Sequence, residues 1–194
     1  MGKLFYIMGK SASGKDTIYG RLSEDTSLAL RRIVPYTTRP IRAGEMEGQT
    51  YHFVSDETFM KMRQAGEIIE SRTYQTVWGP WHYFTADDDQ IRLQEGHGLM
   101  IGTLESYLQV RAFLGTEQVV PIYIEVEDGE RLMRALARER QQQKPGYAEL
   151  CRRFLADCED FSEEKLTAAG ITRRYSNLCL EDCLREIREM IRSF

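Results

Sequence analysis

The 194-residue chain has no excess of positive charge: 26 Lys and Arg stand against 30 Asp and Glu, a formal net charge of −4. A polyanion gains no electrostatic footing on such a surface, so nucleic-acid binding is not expected. Long apolar runs are missing too. None approaches the length needed to cross a bilayer, so no membrane partner is expected either. Only four cysteines occur, Cys151, Cys158, Cys179 and Cys183, all toward the C-terminus. Their spacings are helical repeats rather than the close pairs of a zinc ribbon, and they read as buried, reduced thiols. Internal repeats are absent, and the one low-complexity tract is Gln141-Gln142-Gln143. The first residues read as a strand rather than a leader, which makes the cytoplasm the expected compartment. At this length one compact domain is expected, with oligomeric state, monomer or homodimer, left open.

What the chain has is Leu4-Phe5-Tyr6-Ile7-Met8 running into Gly9-Lys10-Ser11-Ala12-Ser13-Gly14-Lys15-Asp16-Thr17. The apolar run reads as a buried strand. Gly9 and Gly14 open backbone conformations that turn successive amides toward an anion. A helix follows that buries Ile18 and Leu22, and its positive end adds to the same field. Two glycines and a lysine at this spacing, between strand and helix, form a phosphate-binding loop. Residues 9–17 are therefore the candidate ATP site, with Lys15 reaching the outer phosphates. A Ser or Thr normally follows that lysine and gives its hydroxyl to Mg2+. Here the position is Asp16. A carboxylate beside phosphates is repelled unless a cation lies between, so Asp16 is the candidate magnesium ligand, directly or through water. It also suits the first turn of a helix, and the two readings are compatible. Thr17 points elsewhere and is a poor substitute.

Strand and helix patterns alternate along the rest of the chain, the mark of a mostly parallel sheet with helices on both faces. Strands are expected at 28–34, 51–54, 68–70, within 74–84, and at 99–101, 119–124 and 171–176. Helices are expected after Ser55 to near Gly66, from Thr85 through Asp87-Asp88-Asp89 to near Gly96, and at 104–114, 128–141, 147–168 and 180–191. The acidic triplet reads as first-turn dipole compensation, because adjacent carboxylates fan around a helix instead of converging on a metal.

A second anion site is suggested by Arg39 and Arg42, two guanidinium forks on a Pro- and Gly-stiffened segment suited to a phosphate monoester, with Tyr51 adding a phenolic hydroxyl. Farther on, Arg134, Arg138 and Arg140 sit on a basic helix before Lys144-Pro145-Gly146, and Arg152 and Arg153 on the next.

Thr37-Thr38-Arg39, then Arg42-x-Gly44-Glu45-x-x-Gly48 and Tyr51-x-Phe53-Val54-Ser55, placed after a phosphate loop, resemble the guanylate kinase family. The resemblance is motif-level from residue 3 to about 100. Beyond that it rests on element order and a few arginines. It implies a P-loop NTPase α/β fold with a parallel five-stranded core sheet (residues 1–34 and 86–194), a small mixed-β acceptor-binding insert (35–85) and a helical lid (135–150). It implies ATP-dependent phosphorylation of a nucleoside monophosphate, GMP to GDP, with Mg2+. By resemblance Arg39, Arg42 and Tyr51 hold the acceptor phosphate, Glu70 reads the guanine edge, and Arg134, Arg138 and Arg153 are the lid arginines that with Lys15 and Arg39 carry the chemistry. The family's Tyr-Gly-Ser/Thr step fits either Trp78-Gly79-Pro80 or Tyr83-Phe84-Thr85. The second is preferred because it restores a phosphate-facing Tyr83 and a base-facing Thr85 hydroxyl.

The chain departs from the family pattern at Pro35, where a Ser is usual, and at Gly102-Thr103-Leu104, which replaces an Asp-x-Asp and leaves Glu105 as the nearest carboxylate. The Lys15-Asp16 pairing also resembles ribose 1,5-bisphosphate phosphokinase. Two further readings stay open on these residues: a kinase of a ribosyl phosphate or similar small phosphorylated metabolite, and a non-catalytic guanylate kinase-like binding module.

Overall fold

The computed structural model describes residues 1–194 apart from Ala43 and Val77. In chain order its elements are β1 (Leu4–Met8), α1 (Lys15–Ser23), a 3-10 turn (Thr26–Leu28), β2 (Arg31–Arg32), β3 (Tyr36–Thr37), β4 (His52–Phe53), α2 (Asp56–Ala65), β5 (Ile68–Thr76), β6 (Gly79–Ala86), β7 (Gly98–Ile101), α3 (Leu104–Leu114), β8 (Val119–Glu125), α4 (Asp128–Arg140), α5 (Tyr147–Asp160), α6 (Glu163–Ala168), β9 (Arg174–Ser176) and α7 (Leu180–Ile191).

A five-stranded sheet in the order β2-β7-β1-β8-β9 forms the core, and every pairing in it is parallel. The central strand β1 is buried along its whole length. Successive side chains on a strand face opposite ways, so β1 feeds two cores at once. Leu4, Tyr6 and Met8 pack with Tyr107 and Val110 of α3 and with Leu166. Phe5 and Ile7 pack with Ile18 and Leu22 of α1 and with Leu184 and Ile187 of α7. The expected parallel core sheet is thus present, with its phosphate loop leaving the carboxyl end of the middle strand.

A second, four-stranded sheet in the order β4-β3-β6-β5 is mixed: β3 and β4 run parallel, the other pairs antiparallel. Its outer face packs on α2, where the Phe59 ring stacks on His82 with centroids 4.0 Å apart and lies 5.0 Å from Phe84. Ser55 caps α2 through the Thr58 amide.

The helix expected from Thr85 to Gly96 does not form. Strand β6 runs on to Ala86, and the chain then turns. The Asp88 carboxylate accepts from the Tyr36 hydroxyl at 2.6 Å and from the Gln90 backbone amide and side chain at 3.0 and 2.8 Å. These side-chain bonds outcompete a helical backbone, so the acidic triplet compensates no helix dipole. The expected strand at 28–34 shrinks to Arg31–Arg32, because Asp25 caps a 3-10 turn and Ala29 is left-handed with φ 48°. The expected helix over 147–168 breaks into α5 and α6, where Phe161 is buried and Ser162 caps the Lys165 amide. The last strand starts at Arg174 instead of 171. Among the described residues no helix is long and apolar enough to cross a membrane.

Candidate active site

The loop from β1 to α1 is built around two close approaches. Gly14 has φ 84°, and a Cβ there would collide with Asn177 Nδ2, which donates to the Ser13 carbonyl at 2.7 Å. A Cβ on Gly9 would lie 2.6 Å from the Ile124 carbonyl oxygen. Ala12 adopts φ 62°, a left-handed conformation uncommon for a residue with a side chain. Helix α1 has no side-chain cap, so its first-turn amides are left for a ligand. The Ser13 hydroxyl is buried without a hydrogen-bond partner. Lys15 Nζ lies 3.1 Å from the well-exposed Asp16 carboxylate.

No group of three or more His, Cys, Asp or Glu residues poised for a metal occurs among the described residues. A single carboxylate fits Mg2+ nonetheless, because that ion keeps several waters and takes its remaining ligands from substrate phosphates.

The sequence reading missed what holds this loop in place. Arg131 is 1% exposed. Its guanidinium donates to the Ser11 carbonyl at 2.9 Å and to Asp128 Oδ1 at 2.7 and 3.0 Å, and it lies 3.7 Å from Asp157. Asp157 in turn accepts the Ser11 amide at 2.8 Å, and Lys10 Nζ lies 3.1 Å from Asp128. Burial raises the Asp128 carboxyl, but bonds from Arg131 and Lys10 prevail and hold it below its ordinary range. The only trace in sequence is Asp128-x-x-Arg131, one turn of helix.

The second group of candidate residues lies on the inner side of the second sheet. Glu70 pairs with Thr85, Arg72 with Tyr83 and Tyr74 with Trp81 across β5 and β6, which puts all six side chains on one face. Thr37, opposite Tyr83 on β3, extends that face to Arg39. Arg39 is 3% exposed, with its guanidinium 5.2, 5.4 and 6.0 Å from the ring centroids of Tyr51, Phe53 and Tyr83. Both oxygens of Glu45 grip it, which holds the Glu45 carboxyl down to about 2.

The expected pair of forks is not formed. Arg42 is exposed and lies over the Trp81 ring, 5.9 Å from its centroid, while only its backbone amide reaches Glu45. Burial, with Tyr83 adding to it, raises the Tyr51 hydroxyl; Arg39 and Arg72 oppose the shift, and the Asp16 carboxylate contributes from the donor loop.

The Thr85 hydroxyl donates to Glu70 at 2.8 Å. Trp78, at the far end of the hairpin, is 80% exposed and stacks on Trp81. Gly102 leaves no room for a side chain, because the Tyr6 hydroxyl, hydrogen-bonded to Ser106, fills that place. Pro35 gives its carbonyl to the His52 amide at 2.9 Å.

Two of the three expected lid arginines come together. Arg138 and Arg153 line a cavity of about 340 Å³ with Ser11, Lys144 and Phe154, between α4 and α5. Arg134 instead binds Glu130 and the Asn177 carbonyl, beside the donor loop.

A parallel sheet with a glycine-rich anion loop after its central strand is the architecture of a phosphate-loop protein. Comparison with known proteins narrows that class. The guanylate kinase family model matches residues 1–149, and the chain belongs to that family. A guanylate kinase of Pseudomonas fluorescens (strain Pf0-1) is 35% identical over 100 residues, 52% of this chain and 47% of the relative. One from Chlamydia felis is 24% identical over 192 residues, 98% of this chain and 86% of the relative. The crystal structure of guanylate kinase from Anaplasma phagocytophilum shares the fold at a TM-score of 0.69 and 20% identity, covering 99% of this chain and 85% of that one. The chain spans about half the length of the first of these relatives.

Proposed function

We propose that this protein is an ATP- and Mg2+-dependent nucleoside monophosphate kinase that converts GMP to GDP. Its partners are then two small molecules, and it acts as a cytoplasmic enzyme of purine nucleotide metabolism. The observation that carries the reading is Arg39: a buried guanidinium, held by Glu45 in an aromatic box, in a chain that also has a phosphate-binding loop.

In this reading residues 9–17 wrap the donor phosphates, with the loop amides and Lys15 taking up their charge. Asp16 would hold Mg2+, which supplies charge neutralisation between the donor phosphates. Arg39, Tyr51 and Tyr83 seat the acceptor phosphate, and Arg42 joins them by swinging off Trp81. Glu70 and Thr85 form the base end of the pocket. No general base is required, because the acceptor phosphate is already an anionic nucleophile. Catalysis therefore rests on alignment and on positive charge along the transfer path. Arg138 and Arg153 supply that charge from the lid cavity, and Arg134 from its place beside the loop. Motion of the insert (35–85) and the lid (135–150) against the core excludes water and limits wasteful ATP hydrolysis.

A coupled assay of ADP release with GMP, dGMP, AMP and ribose bisphosphate tests the proposal. GMP-dependent, Mg2+-dependent turnover is expected. A folded, ATP-binding protein that releases ADP with none of the nucleotides would end the reading.

A further inference from the structure

The chain passes between the two sheets twice, outward at Val34-Pro35 and back over residues 87–90. On the outward side the Ile33 amide still donates to the Leu99 carbonyl of the core sheet at 2.9 Å, and Tyr36 already pairs with Phe84 of the second. On the return β6 ends at Ala86, and Ile91 packs against the core again. Val34 lies buried between the two ladders, and both its backbone groups go to one side chain. The Gln90 carboxamide accepts the Val34 amide at 2.8 Å and donates to the Val34 carbonyl at 3.2 Å. A neighbouring strand would satisfy Val34 in the same way. The same Gln90 nitrogen donates to Asp88 at 2.8 Å, and Asp88 accepts the Tyr36 hydroxyl at 2.6 Å. The Tyr36 ring in turn stacks on Phe84, with centroids 5.1 Å apart. One run of side-chain bonds, from Val34 through Gln90 and Asp88 to Tyr36, therefore spans the boundary between the sheets.

We propose that Gln90 is a positioning residue for phosphoryl transfer: it staples the two crossings together and so sets the second sheet, with Arg39, Tyr51 and Tyr83, relative to the core sheet and its donor loop. This rests on the nucleoside monophosphate kinase reading. The two crossings differ in stiffness. Pro35 fixes its own φ, and a residue before proline is confined to extended conformations, so Val34-Pro35 bends little. The return crossing is a turn in which Asp87 and Asp89 are exposed. Gln90 lends the stiffness of the first crossing to the second. Transfer depends on that restraint, because misplacing the reacting groups by about 1 Å costs about a hundredfold in rate. Gln90 touches neither substrate in this reading. The donor loop belongs to the core and the acceptor ligands to the second sheet, so each substrate should bind alone as well without the staple as with it.

The test compares the wild type with Gln90→Met, which keeps the length of the side chain and removes both bonds to Val34. Amide hydrogen exchange needs no substrate. The Val34 amide should be protected in the wild type and exchange at least about tenfold faster in the variant. With GMP as acceptor, kcat should fall about thirtyfold, while the dissociation constants of ATP and of GMP, each titrated alone, stay within about threefold. The ADP released per GDP formed should rise above about one, because a loosely set acceptor lets water compete for the phosphoryl group. A role in stability alone would lower the thermal midpoint and leave that ratio unmoved. Tyr36→Phe removes only the last bond of the run and keeps the ring stack, so it should show the same pattern at about threefold in kcat. It decides alone if Gln90→Met does not fold. A freely exchanging Val34 amide in the wild type, an unchanged kcat, or a lower kcat at a fixed ratio overturns the staple and leaves the kinase reading standing. Wild-type protein that releases no ADP with any nucleotide ends both.

Discussion

Glu45 grips Arg39 with both carboxylate oxygens, at 2.7 and 2.5 Å, and the ion pair sits inside a box of three aromatic rings. A planar guanidinium held this way has lost its rotational freedom before any ligand arrives, so an acceptor phosphate need not supply that ordering. The clamp also explains why Arg39 and Arg42 part company. Glu45 takes the Arg39 fork, and Arg42 is left with Trp81. Replacing Arg39 by Met should therefore raise the acceptor KM and lower kcat together, by at least about a hundredfold in kcat/KM, as expected for losing a preset charge on the reacting group. The ATP dissociation constant, read by titration without acceptor, should stay within about threefold, since Arg39 sits among Tyr51, Phe53 and Tyr83 of the second sheet and not in the donor loop.

The same clamp has a pH signature. Bonding by Arg39 holds the Glu45 carboxyl at about 2 against an ordinary value of 4.5. A depressed carboxylate contributes stability that is present above its ordinary value and lost as pH falls toward the folded one. Thermal midpoints should therefore decline between pH 4.5 and about 2, and Glu45→Gln should flatten that decline while lowering the midpoint at neutral pH. A Gln variant with an unaltered acid profile would show that the pair contributes nothing to the fold.

Asp16 separates two roles that a hydroxyl would combine. It stands in the first turn of α1 and pairs with Lys15 at 3.1 Å, exposed to the cleft. If its carboxylate helps place Mg2+, Asp16→Ser should raise the Mg2+ concentration giving half-maximal rate while holding kcat within about tenfold, because serine is an adequate substitute ligand. Lys15→Ala, by contrast, should cost about a thousandfold in kcat at any Mg2+ concentration if, as proposed, its ammonium takes up the charge of the outer phosphates. A Mg2+ titration of the three proteins reads both outcomes.

The local signals were the legible ones. The apolar run of β1, the glycine spacing of the loop and the cap at Ser55 act within a few residues of themselves, and each appears where the pattern puts it. Choosing Tyr83-Phe84-Thr85 over Trp78-Gly79-Pro80 rested on restoring a Tyr and a hydroxyl to the acceptor side, and the strand register sets Thr85 opposite Glu70. What stayed hidden depends on distant partners. The helix expected over Thr85 to Gly96 fails because Tyr36 and Gln90 claim Asp88. Glu45 reads as one more loop carboxylate until the fold wraps it around Arg39.

Arg131 is the furthest from sequence reach, and it yields the sharpest stability test. Its single guanidinium ties α4 to the donor loop through the Ser11 carbonyl and balances Asp128 and Asp157, which otherwise bring two carboxylates beside a site meant for phosphate. Removing the buried Arg131 leaves Asp157 without its cation and the half-exposed Asp128 with Lys10 alone, so Arg131→Leu should destabilise the fold by about 3 kcal/mol, measurable by urea denaturation. The cost comes from the stranded carboxylates more than from the lost bonds. Adding Asp157→Asn to Arg131→Leu should therefore recover part of it, since an asparagine still accepts the Ser11 amide without a charge. ATP affinity should follow the same order, weakest in the single variant and partly restored in the double. Strictly additive destabilisation would mean that Arg131 acts through packing on Phe154, 4.8 Å from its guanidinium, and that charge balance at the loop is incidental.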